Sequence, residues 1–167
     1  MSNYEAVKIR CLFLPLLFLF VVGSVQARIG ESYEELVVRY GKPKAGFPRD
    51  TFTLLVFEKE GYYFSVFLMD GKAEGMVVTK EKGGLEGDEV RIFLDKNTGE
   101  KKDAYWRIKD QTELGEYFEL QDGEKNYSKT FALWNTRKGS LMISTPKGKA
   151  VVSEDGAKEL MKKTEGF

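Results

Sequence analysis

Apolar positions change their spacing several times along the chain, and each change marks an element. From Cys11 to Val22 almost every residue is apolar; Lys8 and Arg10 precede the stretch and Val25-Gln26-Ala27 follow it. Basic, then apolar, then small is the order of a secretory signal peptide. The stretch contains Pro15 and is shorter than the ~20 residues a membrane-crossing helix needs. The expectation is a leader over residues 1–27, cleaved near Ala27, and a product that is periplasmic or secreted. Cys11 stands at the start of the apolar stretch instead of following its end, so a lipid anchor is not expected.

After the leader the period shifts to that of a helix. Ser32 and Glu35 form an S-x-x-E capping box, in which each side chain satisfies a free amide of the first turn. Tyr33, Leu36, Val37 and Tyr40 follow at i, i+3, i+4 and i+7, one apolar stripe. Gly41 and Pro43 stop the helix. A helix of about two turns is unstable alone, so the stripe must dock.

Three strands come next, over Thr51–Glu58, Tyr62–Met69 and Lys72–Lys80, rich in Phe, Tyr, Val and Leu. Gly61 marks the first turn and Asp70-Gly71 is a two-residue hairpin signal. The middle strand places Tyr62, Phe64, Val66 and Leu68 on one side, and Tyr63, Phe67 and Met69 around Ser65 on the other. A sheet with one wet face alternates apolar with polar. This one does not, so both of its faces require cover.

Gly83-Gly84 opens a linker. Asp88–Asn97 then fits two patterns: Val90, Phe93 and Leu94 suit a helix face, while Val90, Ile92 and Leu94 alternate as in a strand. Leading acids and the trailing Lys96 match the helix dipole, and helix is the preferred reading. Short strands follow at Ala104–Lys109, Glu116–Gln121, Lys129–Asn135 and Ser140–Thr145, separated by turns at Leu114-Gly115, Asp122-Gly123, Lys138-Gly139 and Pro146 to Gly148. A last helix is predicted from Ser153, with Ala157, Leu160, Met161 and Thr164 on one face and Gly166 as its stop. The expected fold class is α+β: antiparallel meanders packed by short helices, with a helix-then-hairpins arrangement occurring twice. Residues 28–82 (helix plus three-stranded meander) and 83–167 are expected to share one compact domain.

Composition narrows the chemistry. The chain has no histidine and one cysteine, Cys11, inside the leader. Without imidazole or a mature thiol there is no Ser-His-Asp triad, no Cys-His pair and no ordinary zinc site. No disulfide can form in the product either, so the core alone must hold it. Positions 28–167 carry 24 basic and 25 acidic residues, a balance that draws in neither nucleic acid nor anionic lipid.

Ser144-Thr145-Pro146-Lys147 matches the S-x-x-K nucleophile motif. Pro146 is expected to break the helical turn that pairing needs, and the segment reads as a turn. Asp95-Lys96-Asn97-Thr98-Gly99 begins like a calcium loop, but Glu100 and Trp106 stand where the bend glycine and the bidentate glutamate belong. Glu58, Glu60, Glu116 and Glu119 leave a carboxylate-based hydrolase as a minor reading. Asn126-Tyr127-Ser128 fits a glycosylation sequon, which matters only in a eukaryotic secretory pathway. No catalytic residue, metal or cofactor is expected.

The aromatics are the remaining lead. Tyr63, Tyr105, Trp106 and Trp134 lie on predicted strands whose other faces already hold apolar residues. One reading makes them core; the other makes them exposed anchors for a partner.

Gly30, Ser32, Glu35, Leu36, Tyr40, Gly41 and Pro43, followed by the hairpin around Asp70-Gly71-Lys72, resemble the helix-then-meander module of BamE-like (SmpA/OmlA-type) envelope proteins, whose fold is shared with β-lactamase inhibitor proteins. The resemblance covers residues 29–80. It implies a non-catalytic scaffold that meets other proteins across its sheet or loops. The BamE type is a lipoprotein, whereas this chain has no lipidation cysteine, and its second half has no counterpart there. The functional expectation is an exported protein-interaction or scaffold module of the bacterial envelope, with Tyr63, Tyr105, Trp106 and Trp134 as binding residues and an unidentified envelope or secreted protein as partner. A small-ligand or glycan-binding domain using the same aromatics is the alternative.

Overall fold

The protein is described by a computed structural model over residues 28–98, 103–121 and 129–151. Its first element is helix α1 (Tyr33–Tyr40), and the capping box forms as the sequence requires. The Glu35 amide donates to Ser32 Oγ at 3.3 Å and the Ser32 amide donates to the Glu35 carboxylate at 2.7 Å. The hydrogen bond from the Ser32 amide holds the Glu35 carboxyl below its usual range. Leu36 and Tyr40 are buried, but Tyr33 is exposed, so the docked stripe is narrower than its spacing suggests.

Four strands follow: β1 (Ala45–Pro48), β2 (Thr53–Lys59), β3 (Tyr62–Met69) and β4 (Lys72–Lys80). β1 is one strand more than the sequence pattern gave. Its four residues contain Gly46 and Pro48 and carry no alternation, so nothing local announces it. It forms because β2 offers a free edge, and an edge is where proline is tolerated. The β3–β4 hairpin turns at Asp70-Gly71, both with positive φ (47° and 75°), the geometry that favours glycine at the second position.

Residues 88–96 lie in helix α2 (Gly87–Lys96) and Asn97 is its C-cap, in agreement with the preferred reading. Strands β5 (Tyr105–Thr112), β6 (Gly115–Gln121), β7 (Phe131–Asn135) and β8 (Ser140–Ser144) complete the sheet. Helix α3 (Pro146–Val151) then occupies the segment expected to be a turn. Proline ends a helix from within, but at the first position its missing N–H has no partner to lose. The helix predicted from Ser153 lies outside the described residues.

All eight strands form one antiparallel sheet in the order β1-β2-β3-β4-β8-β7-β6-β5. The two halves meet where β4 pairs with β8, Val78 opposite Leu141 and Met76 opposite Ile143. Residues 29–80 are therefore not a free-standing meander: their last strand is continued by the second half.

The helices α1 and α2 lie on one face of the sheet, hereafter the helix face. Its core holds Phe57, Phe64, Val66, Met76, Val78, Leu141 and Ile143, each fully buried. Burying such a side chain contributes roughly 1.5–3 kcal/mol. Tyr40 and Phe93 pack against Phe64 from α1 and α2, with ring centroids at 4.5 and 6.0 Å.

α2 joins distant parts of this face. Tyr62 Oη on β3 donates to Glu89 at 2.6 Å, and Trp106 Nε1 on β5 donates to the Leu94 carbonyl at 2.6 Å. β3 and β5 are separated by five inter-strand steps, roughly 24 Å along the sheet. Glu89 and Leu94 are only about 7.5 Å apart along the helix axis. The sheet must curl around α2 for both contacts to exist.

Candidate functional site

The opposite side of the sheet, the open face, has less cover. Side chains alternate along a strand, so Leu54, Phe67, Val77 and Met142 point here, away from the main core. Register lines them up in rows. One row runs Leu54, Phe67, Gly75, Ser144, Phe131. It is covered by α3; Phe47, which pairs with Leu54 from β1, and Phe52 pack against Leu54 and Phe67, as does Val151 at the end of α3. The next row runs Val56, Ser65, Val77, Met142, Leu133, Tyr117. From Ser65 onward every member of this second row is only half-buried.

α3 is fixed in place by polar contacts. Thr145 Oγ1 donates to the Glu74 carboxylate at 2.6 Å, the Thr145 amide donates to the Glu74 carbonyl at 2.9 Å, and Lys147 pairs with Asp70 in the β3–β4 turn. The hydrogen bond from Lys147 lowers the Asp70 carboxyl and raises the Lys147 ammonium. Gly148 touches the sheet so closely that a Cβ there would stand 2.1 Å from the Glu74 carbonyl oxygen. Glycine at this position lets the helix lie flush against β4 and β8. Lys149 reaches sideways, its Nζ 4.8 Å from the Phe131 ring centroid and 5.8 Å from that of Tyr117. Those two rings stack at 5.7 Å.

The half-buried row ends in a shallow depression lined by Lys109, Asp110, Thr112, Gly115, Tyr117 and Leu133. Lys109 is bound by Glu119, whose hydrogen bond raises the ammonium pKa. The depression is thus an apolar floor with a polar rim and one aromatic side chain.

The four aromatics selected from sequence do not come together. Tyr63 lies on the open face of β3, between Glu58 and Thr79, and is half-buried. Tyr105 is on the same face but on β5, five strand positions away, and is 56% exposed. Trp106 and Trp134 face the other way and pack against the main core under α2. Trp106 is engaged by its hydrogen bond to Leu94, while Trp134 Nε1 is buried without a hydrogen-bond partner. A single contiguous patch of these four residues is therefore ruled out, because strand parity and strand order divide them. The residues that do form a continuous half-open row are Val77, Met142, Leu133 and Tyr117. Their signal was present as adjacent apolar pairs, such as Val77-Val78 and Leu141-Met142, which supply both faces of a strand at once.

The other motifs resolve into structural contacts. Ser144 Oγ donates to the Glu74 carbonyl at 3.2 Å, and Lys147 points to Asp70, so Ser144 and Lys147 have separate partners. Asn97 accepts from the Ile29 amide at 3.1 Å and donates to the Phe93 carbonyl at 2.9 Å, tying the start of the described chain to the end of α2. Of the four glutamates considered, Glu58 pairs with Lys44, Glu116 accepts from Gln111, Glu119 binds Lys109, and Glu60 sits in the β2–β3 turn. Glu116 and Glu119, three residues apart on β6, take opposite faces. Among the described residues no three acids, cysteines or histidines come together as metal ligands. The sequon at Asn126 lies outside them.

Tyr62, Glu89 and Lys80 form a compact cluster at the start of α2. Burial pushes the Glu89 carboxyl up, but hydrogen bonds from the Glu86 amide, Lys80 and Tyr62 outweigh it, and the net shift is downward. The hydrogen bond to Glu89 pushes the Tyr62 phenol up to about 12. This cluster locks α2 against β3 and β4.

No protein-family model and no curated protein matches the chain. Among solved structures it is similar to a cysteine-rich secretory protein from Staphylococcus aureus, with 15% identity and a TM-score of 0.43. It is also similar to an extracellular protein containing an SCP domain from Bacillus anthracis, with 12% identity and a TM-score of 0.42. Each match covers 73% of this chain, which spans less than half of either of those chains (46% and 45%). Neither is a BamE-like protein or a β-lactamase inhibitor protein. The BamE-like resemblance is corrected accordingly: its motif described a capped helix and a hairpin, which are local features that unrelated sheets share.

Proposed function

We propose that this chain is an exported, non-catalytic interaction module of the bacterial envelope, and that another protein docks on the open face of its sheet. One observation carries the reading: the row Val77, Met142, Leu133, Tyr117 crosses four neighbouring strands and is left half-open. Apolar surface that is continuous, rimmed by polar groups and partly wet is typical of a partner surface. Tyr63 and Tyr105, chosen from sequence as anchors, lie on the same face. The leader-like segment over residues 1–27 supports export. The depression offers a single aromatic, Tyr117, whose ring already stacks on Phe131. That arrangement favours protein docking over a glycan platform, which needs free aromatic faces.

A photo-crosslinking residue placed at Met142 or Leu133 in the exported protein tests the reading in native cells. Discrete adducts are expected from these positions and not from Val38, which is 88% exposed on α1. Equal adduct patterns from all three positions would remove the open face as the docking surface.

A further inference from the structure

The sheet ends in two edges of unequal character. At one end β1 is four residues long and carries Pro48, which blunts it. At the other end β5 runs for eight residues, of which all but the half-buried Trp106 are exposed. Of the six large apolar or aromatic side chains exposed among the described residues, Tyr105, Ile108 and Leu114 lie on β5 or its turn into β6. β5 therefore presents a long, partly apolar edge, along which alternate backbone amides and carbonyls point away from β6.

The side chains of this edge fit a copy of themselves. Lys109 is the extra residue of the bulge in the β5–β6 ladder, so Tyr105, Arg107, Asp110 and Thr112 share the open face while Trp106, Ile108 and Gln111 share the helix face. Laid antiparallel on a second copy about Ile108, the edge sets Arg107 opposite Asp110, Tyr105 opposite Thr112, and Ile108 opposite Ile108, each pair on one face. Among the described residues neither Arg107 nor Asp110 has an ion-pair partner within the fold, whereas Lys109 is taken by Glu119. A parallel, in-register neighbour would bring like charges together, and an unrelated extended segment matches only if it repeats the same acid-base order. The charges and the bulge thus turn away strands in general and admit one register.

We propose that a second copy of this chain pairs antiparallel along β5, giving a symmetric dimer with one continuous sheet and its twofold axis at Ile108. The interface is isologous, so the Arg107–Asp110 ion pair forms twice. The blunted β1 edge stops growth at two copies. This surface is the rim of the sheet, separate from the open row, and a dimer leaves that row accessible in both copies.

The test uses protein recovered from cells expressing the full chain with Cys11→Ser, which removes the one native thiol. Adding Ile108→Cys puts a thiol on the twofold axis, where opposite Cα atoms of an antiparallel pair stand about 4.5–5.5 Å apart, within disulfide reach. Mild oxidation is expected to convert most of this variant to a covalent dimer, while Val38→Cys, at an 88% exposed position on α1, stays largely monomeric. Sedimentation velocity without the added cysteines gives the dimer Kd. Arg107→Asp sets acid against acid twice and is expected to raise that Kd about tenfold; adding Asp110→Arg restores both pairs in reverse and is expected to bring it back to within about threefold. Recovery in the double variant separates lost pairing from a folding defect. A chain that stays monomeric up to about 0.5 mM overturns the proposal. So does a dimer that Arg107→Asp leaves unchanged or that the double variant does not restore, and so does equal crosslinking through Ile108→Cys and Val38→Cys.

Discussion

The two faces of this sheet start from similar side chains and reach different states. On the helix face, Phe57, Phe64, Val66, Met76 and Val78 are fully buried beneath α1 and α2. On the open face, Val77, Met142 and Leu133 come from the same strands or their neighbours and remain half-buried. The difference lies in the covering layer. α1 and α2 bring Leu36, Tyr40, Val90, Phe93 and Leu94 down onto their face. α3 is a six-residue helix that meets the sheet through Gly148 and contributes Val151 at its end. Strand hydrophobicity creates a demand for cover on both sides, and helix length and contact residues decide how far each side obtains it.

The largest effect that would sharpen this contrast is a matched pair of truncations. Phe64→Ala is expected to cost about 3–5 kcal/mol, because it opens a cavity between Tyr40, Phe57 and Phe93. Leu133→Ala on the open face is expected to cost under about 1.5 kcal/mol, since a half-wet site loses less transfer energy. Urea unfolding of both variants measures the gap. Equal costs would mean the open face is as well covered as the helix face.

Next in size is Gly148→Ala. The new methyl group meets the Glu74 carbonyl at 2.1 Å and forces α3 away from the sheet, at a cost of about 1–3 kcal/mol. Increased binding of a hydrophobic dye is expected as Leu54 and Phe67 lose part of their cover. A variant with unchanged stability and dye binding would show that α3 is not a sealing element.

Glu89 tests the lock on the helix face. Glu89→Gln is expected to cost about 1–2 kcal/mol at neutral pH, because it weakens the contacts with Lys80, Tyr62 and the Glu86 amide. Its carboxyl is held below the ordinary value, so its contribution is fully present above the unfolded glutamate pKa of about 4.3 and is lost as pH falls through the lower folded value. The stability difference between the wild-type chain and the variant should therefore shrink as pH drops below about 4. A difference that stays constant to pH 3 would rule out the carboxylate as its source.

Trp106→Phe keeps the packing but leaves the Leu94 carbonyl without its indole donor, an expected loss of about 1 kcal/mol in thermal unfolding. The smallest effect belongs to Lys149→Gln, about 0.5 kcal/mol from its contact with the Phe131 and Tyr117 rings. A larger loss there would mean that α3 is held through this lysine more than through Thr145 and Lys147.

Much of the local structure was legible in the sequence because it is set within a few residues. The capping box at Ser32, the Asp70-Gly71 turn and the acid-to-base polarity of α2 each report a short-range constraint, and all three form. The strand β1 and the helix α3 were not legible, since β1 exists only as a partner for the edge of β2, and Pro146 is compatible with a helix only at its first position. The candidate site was the least legible part. Choosing aromatics by size picked Trp106 and Trp134, which the parity of their strands turns inward beneath α2.

The amino-acid sequence by itself determined the chemical inventory, with no imidazole and a single thiol at Cys11, and the position of most elements, because composition and short-range spacing need no knowledge of distant partners. It also determined that both faces of the meander around β3 would be apolar. Only the tertiary structure decided that β4 would pair with β8, that α1 and α2 would share one face, and that the row from Val77 to Tyr117 would be left half-open. Those outcomes depend on contacts between residues dozens of positions apart, where strand order and the direction of each side chain, not hydrophobicity, determine which apolar surface meets another and which meets water.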